Sequence, residues 1–84
     1  MGIQRIDEFE RYLAAERKRT QKAQRDLISR LKRADKCTRL QDANNVEKYH
    51  QDLLDSEMFV AAPKSAKQSM KQASAIYFSW LISN

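Results

Sequence analysis

One glycine and one proline serve the whole 84-residue chain, and no other feature limits its fold so strongly. Hairpins and Greek keys need a turn every few residues, most of them built on Gly, Pro, Asn or Asp in special backbone conformations. Nor does any stretch alternate polar and apolar residues for long enough to make a half-buried strand. The expectation is an all-α fold, a compact bundle of four helices in one domain covering residues 1–84. Hydrophobic residues make up 42% of the chain, enough for one small core and not for two. No internal repeat is visible.

Helical spacing of the apolar residues places the elements. The first helix is predicted over 7–17, with Asp7 and Glu10 at capping-box spacing and Phe9, Tyr12 and Leu13 as its stripe, joined by Ile6. After a joint at Lys18-Arg19-Thr20, Thr20 is a plausible N-cap for a second helix over 20–36, whose inward face is Ala23, Leu27, Leu31 and Ala34, widened by Ile28. The third is predicted over 43–58, capped by Asp42 or Asn44, with Val46, Tyr49, His50, Leu53, Leu54 and Met58 facing inward. Phe59 to Pro63 is read as a connector, because a helix does not run through proline. Ser65 and Gln68 offer a second capping box for a fourth helix over 65–83 that buries Ala66, Met70, Ala73, Tyr77, Trp80 and Leu81. Ala75, Phe78 and Ile82 lie on its other side. They are packed within the bundle, or they form a bare patch that meets a linker, another domain or a neighbouring protomer; burial of Phe78 decides between the two.

Several function classes are excluded or disfavoured. A single cysteine makes no disulfide framework. The chain shows neither the apolar core of a secretory signal nor an apolar run of about 20 residues. A myristoylation signal at Gly2 would want Ser or Thr where Ile6 stands. The reading is a soluble intracellular protein with no membrane partner. Cys37 and His50 are too few for a zinc site, and His50 reads as a partly buried core histidine. Asp52 and Asp55 have no Ser or His constellation nearby, so no residue is assigned a catalytic role and no metal or cofactor is expected. Tyr12, Tyr49 and Tyr77 sit on apolar stripes and read as core.

Charge is the informative property. The net +5 is unevenly spread: residues 1–16 carry a net −2, residues 17–39 a net +8, residues 42–58 a net −4, and residues 59–84 three lysines with no acid. At 100° per residue, Lys18, Lys22, Arg25, Ser29, Lys32, Arg33 and Lys36 share the sector opposite the second helix's apolar stripe. Lys64, Lys67, Gln68 and Lys71 crowd the start of the fourth helix, where free N–H groups favour phosphate oxygens. Solvated helix faces look similar, but alternation of charge sign by segment suits an anionic partner such as a nucleic-acid duplex.

The chain also resembles a known family. Phe9-x-x-Tyr12-Leu13-x-x-Glu16-Arg17 is similar to the first helix of the N-terminal core-binding (SAM-like) domain of tyrosine recombinases, the phage lambda-type integrases. A Thr20-led helix with Asp26-Leu27 follows, Val46-x-x-Tyr49 to Leu53-Leu54 is similar to the family's third helix, and Ser74-Ala75-Ile76-Tyr77-Phe78-Ser79-Trp80-Leu81 to its closing helix. The likeness covers about residues 6–83. It departs from the family at Ala23 or Gln24, where an aromatic is common, and in the shortened spacing between Ala75-Ile76 and Trp80-Leu81.

The resemblance implies a DNA-binding domain that clamps a recombination site with its second and fourth helices, for DNA integration and recombination. Strand cleavage would belong to a C-terminal catalytic domain absent from this chain. Expected partners are double-stranded DNA, that catalytic domain, and neighbouring protomers on the DNA, in a cytoplasmic, nucleoid-associated setting. Lys18, Arg19, Thr20, Lys22 and Arg25 are the expected contacts on the second helix. Lys64, Ser65, Lys67, Gln68 and Lys71 are those on the fourth, with Gln68 and Lys67 or Lys71 nearest base edges. The alternatives are a helical protein-interaction module and a small basic DNA-binding regulator attached to no recombinase.

Overall fold

Side-chain caps set three of the five helix starts. The computed structural model describes residues 3–16 and 18–83. In order they form α1 (Ile6–Glu16), α2 (Gln21–Cys37), a 3-10 turn (Leu40–Asp42), α3 (Val46–Leu54), α4 (Glu57–Ala61) and α5 (Lys64–Ser83), with no strand among the described residues. Thr20 Oγ1 accepts from the Ala23 N–H at 3.1 Å, so the cap expected for the second helix is formed. Asn45, rather than Asp42 or Asn44, caps α3 by accepting from the Lys48 N–H at 2.8 Å. Each such cap contributes about 1 kcal/mol.

The two predicted capping boxes are not at helix entries. Asp7 and Ser65 both lie inside their helices, and the carbonyls of Arg5 and Pro63 accept the first helical bonds, each at 3.0 Å. Proline arrives with φ already near the helical value, so Pro63 leads straight into α5 without a hydroxyl. The predicted end of the first helix at residue 17 lies outside the described residues.

The predicted third helix is the main correction. Instead of running over 43–58 it is divided: Asp55 ends α3, and Ser56 opens α4, its hydroxyl accepting from the Phe59 N–H at 3.4 Å. Short Asp and Ser side chains compete for backbone groups and so break a helix easily. The break re-aims the chain. Phe59, expected in a connector, is 1% exposed, whereas Leu54 and Met58, expected inward, are 58% and 59% exposed.

The core is built around α5. Met70, Ala73, Tyr77, Phe78 and Trp80 are buried, together with Phe9 and Leu13 of α1, Leu27 and Leu31 of α2, and Tyr49 and Leu53 of α3. Phe9 meets Tyr77 edge-on at 5.4 Å and Trp80 at 5.2 Å, and Tyr49 meets Phe78 at 5.6 Å. Phe78 is 1% exposed, which rules out the bare-patch reading; only Ile82 of that trio is exposed. Tyr12 is not core either. It rests at the edge of the aromatic cluster, 6.0 Å from Trp80 and partly open to solvent.

Two phenols tie distant segments together. Tyr49 donates to the Thr38 carbonyl at 2.8 Å and Tyr77 to the Gln4 carbonyl at 2.7 Å. Burial pushes both pKa values up, with Asp35 adding to the rise at Tyr49 and Arg5 partly opposing it at Tyr77. No helix among the described residues is long and apolar enough to cross a membrane.

Candidate nucleic-acid interface

Helices α2 and α5 pack side by side and antiparallel. Cys37, the last residue of α2, has its Sγ 4.0 Å from Met70 Sδ in the first half of α5. Near the other end of α2, Arg19 and Ala23 share a groove with Ile76. Both helices were expected to carry the DNA contacts. The antiparallel course, however, separates the two clusters named from sequence.

Lys18, Arg19, Thr20, Lys22 and Arg25 lie at the end of α2 that faces the later turns of α5. Lys64, Ser65, Lys67, Gln68 and Lys71 begin α5 beside the last turns of α2. Lys22 and Lys36 differ by roughly 20 Å in level along the helix axis, so Lys22 is far in level from Cys37, the residue of α2 that meets Met70 of α5.

The individual side chains differ in how free they are. Lys22 and Arg25 are exposed. Lys18 is exposed, with Nζ 3.9 Å from Glu16. Arg19 is half-buried and held by Glu16 at 3.2 Å, while its carbonyl accepts from Gln24 Nε2 at 3.1 Å. The Thr20 hydroxyl is occupied as acceptor in the cap of α2 and keeps only its proton to offer an anion. Asp35 is turned to a structural use, accepting from the Leu40 N–H at 2.9 Å, which leaves Asp26 as the acid of α2 on an exposed position.

On α5 the arrangement has three parts. Gln68 and Gln72, one turn apart, are exposed, and Ser65 is exposed a turn earlier. Gln72 and Ser69 line the α2 groove opposite Arg19, Asp26 and Arg30. Lys67 and Lys71 lie on the opposite flank; both are half-buried, and Lys71 Nζ sits 5.9 Å over the Phe59 ring of α4. A neutral strip of hydroxyl and amide groups therefore runs between two cationic margins. One margin is Arg19 and Arg30 of α2, with Asp26 between them; the other is Lys67 and Lys71.

Arg30, Ser69 and Gln72 line this groove but are not among the contacts expected from the sequence. The signal for Gln72 was present, since residues four apart on a helix share a face. For Arg30 it was not: its position flanks the apolar stripe, and only the placement of α5 makes that flank part of a groove.

His50 lies outside this surface. Its Nε2 is 3.2 Å from both the Lys71 carbonyl and Ser74 Oγ, and Ser74 is completely buried and itself donates to the Lys71 carbonyl at 2.9 Å. The pair serves to satisfy polar atoms between α3 and α5. No group of three or more metal-ligating side chains occurs among the described residues.

No family model matches the chain, and no curated protein or solved structure matches it either. What stands is a small all-helical compact domain.

Proposed function

We propose that this domain binds duplex DNA, with the first half of α5 against a groove and α2 along the adjoining backbone. The observation that carries the reading is the neutral Ser/Gln strip between two cationic margins, on a helix in a segment without a single acid from residue 59 onward. Cations on both sides of such a strip suit the phosphates that border a groove. Hydroxyls and amides between them suit base edges, and Gln pairs bidentately with adenine. Lys22 and Arg25 extend the phosphate contacts along α2.

These are the two helices that the likeness to integrase core-binding domains assigns to DNA. On that likeness, the domain is the DNA-clamping part of a site-specific recombinase, and a catalytic domain with neighbouring protomers on the recombination site would complete the assembly. No residue of this chain takes part in strand cleavage in this reading.

The test is a titration of isotope-labelled protein with short duplexes at several salt concentrations. Each phosphate neutralised contributes about −0.9 to the slope of log affinity against log salt. Expected are amide shifts on α2 and the first half of α5 and a slope that becomes shallower in Lys22→Ala/Arg25→Ala. Shifts confined to α1 and α3, or no salt-dependent binding at low ionic strength, would reject DNA in favour of a protein-interaction module.

A further inference from the structure

The groove between α2 and α5 is cationic along its α2 side except at Asp26. This acid is exposed, and it lines the groove with Arg19 and Arg30 on its own helix and with Ser69 and Gln72 across from it. Lys22 stands one turn before Asp26 and Arg30 one turn after, spacings at which opposite charges on a helix ordinarily pair. Neither pairing is made: among the described residues, Asp26 and Arg30 take part in no ion pair. Both side chains are therefore open to a ligand in the groove.

An acid is out of place on a surface that meets phosphates alone. A carboxylate accepts hydrogen bonds and donates none, and phosphate oxygens also accept, so Asp26 repels the backbone and calls for a donor. Along the major groove of DNA the donors are the amino groups of cytosine and adenine. Adenine shows an acceptor beside its amino group, which suits the mixed amide of Gln72. Cytosine shows the amino group alone, which suits a carboxylate, and the guanine paired with it shows the acceptors O6 and N7, which suit a guanidinium. Arg19 is held by Glu16 at 3.2 Å, whereas Arg30 is exposed and has no such tie.

We infer that Asp26 and Arg30 together read one cytosine–guanine pair, Asp26 accepting from cytosine N4 and Arg30 donating to guanine O6 and N7. The inference rests on the proposed DNA binding and names what the α2–α5 groove selects. Asp26 is then a specificity residue that weakens binding to duplexes in general, because its repulsion of phosphate is offset only where the right base meets it.

The experiment selects duplexes from a randomised pool with the 84-residue protein at low salt, then measures affinity for the selected duplex and its single-pair variants. Wild type should select a cytosine–guanine pair and lose about tenfold in affinity when that pair alone is changed. Asp26→Asn, at an exposed position, should bind unselected duplexes more tightly and move the preference there from cytosine to adenine, because a carboxamide offers donor and acceptor together. Arg30→Ala should lose the preference at the same pair and at no other. No preferred cytosine–guanine pair in wild type, or an Asp26→Asn variant that binds every duplex more tightly with its base preference unmoved, overturns the inference and leaves DNA binding standing. A wild-type protein that binds no duplex in a salt-dependent way overturns the inference and the DNA reading together.

Discussion

Helices α2 and α5 lie against each other yet divide their surfaces by opposite rules. On α2 the division is sharp: Leu27, Leu31 and Ala34 are buried, and the far side carries Lys22, Arg25, Lys32, Arg33 and Lys36. On α5 more than half the circumference is packed, and its exposed remainder is mostly uncharged. In the proposed DNA complex, charge on α2 would act at a distance and orient the polyanion without reading it, and hydroxyls and amides on α5 would act only in contact. A helix that is apolar over most of its circumference becomes the hub of its fold, so α5 offers a ligand only the strip its neighbours leave uncovered.

The largest effect that would break this comparison is on stability. Phe78→Ala should cost about 3–5 kcal/mol in chemical denaturation, because it empties the centre of the core on the side once open to a patch reading. Ile82→Ala, on the same helix and exposed, should change stability by less than about 0.5 kcal/mol. Equal costs would mean that α5 is not the hub.

Alkaline titration probes the same hub from its two tied phenols. Both have pKa values raised in the folded state, so the folded protein holds protons that the unfolded chain releases above pH of about 10. Their stabilisation is complete below that pH and declines as pH rises beyond it. Tyr49→Phe should lessen the decline, as read by denaturation midpoints between pH 9 and 12.

The functional contrast is next in size. Gln72→Ala should reduce discrimination between duplex sequences by about 1–3 kcal/mol while leaving the salt slope unchanged. Lys22→Ala should weaken all duplexes alike and make the slope shallower by about 0.9. If both variants alter only the slope, α5 reads nothing.

The smallest effect compares the two helix starts. Thr20→Ala should cost about 1 kcal/mol, because the hydroxyl caps α2. Ser65→Ala should be close to neutral, because Ser65 lies within α5 and the Pro63 carbonyl accepts the first helical bond. A comparable loss at Ser65 would show that its hydroxyl holds the entry of α5 after all.

Helix class, the Thr20 cap, the joint before α2 and the inward faces of α2 and α5 were legible because each depends on spacing or on a residue's own chemistry. The spacing of Leu27, Leu31 and Ala34 allows no other face to be buried. Where the reading failed, a tertiary demand outweighed a local one. Val46, Tyr49, His50, Leu53, Leu54 and Met58 suggest one long helix, but burying Phe59 required a break at Asp55–Ser56 that no periodicity announces. Tyr12 obeys its stripe and still reaches solvent, because it lies over the rim of Trp80 rather than between helices.

The sequence alone therefore determined which faces are apolar and which are basic, since composition and a period of 3.6 residues decide that much. Only the tertiary structure decided which basic residues share a surface. The antiparallel course of α2 and α5 set Lys22 and Arg25 apart from Lys64 and Ser65, and brought Arg30 alongside Ser69 and Gln72. Helix direction is fixed by which buried side chains meet across the core, and that pairing joins residues far apart in the chain, where local spacing carries no signal.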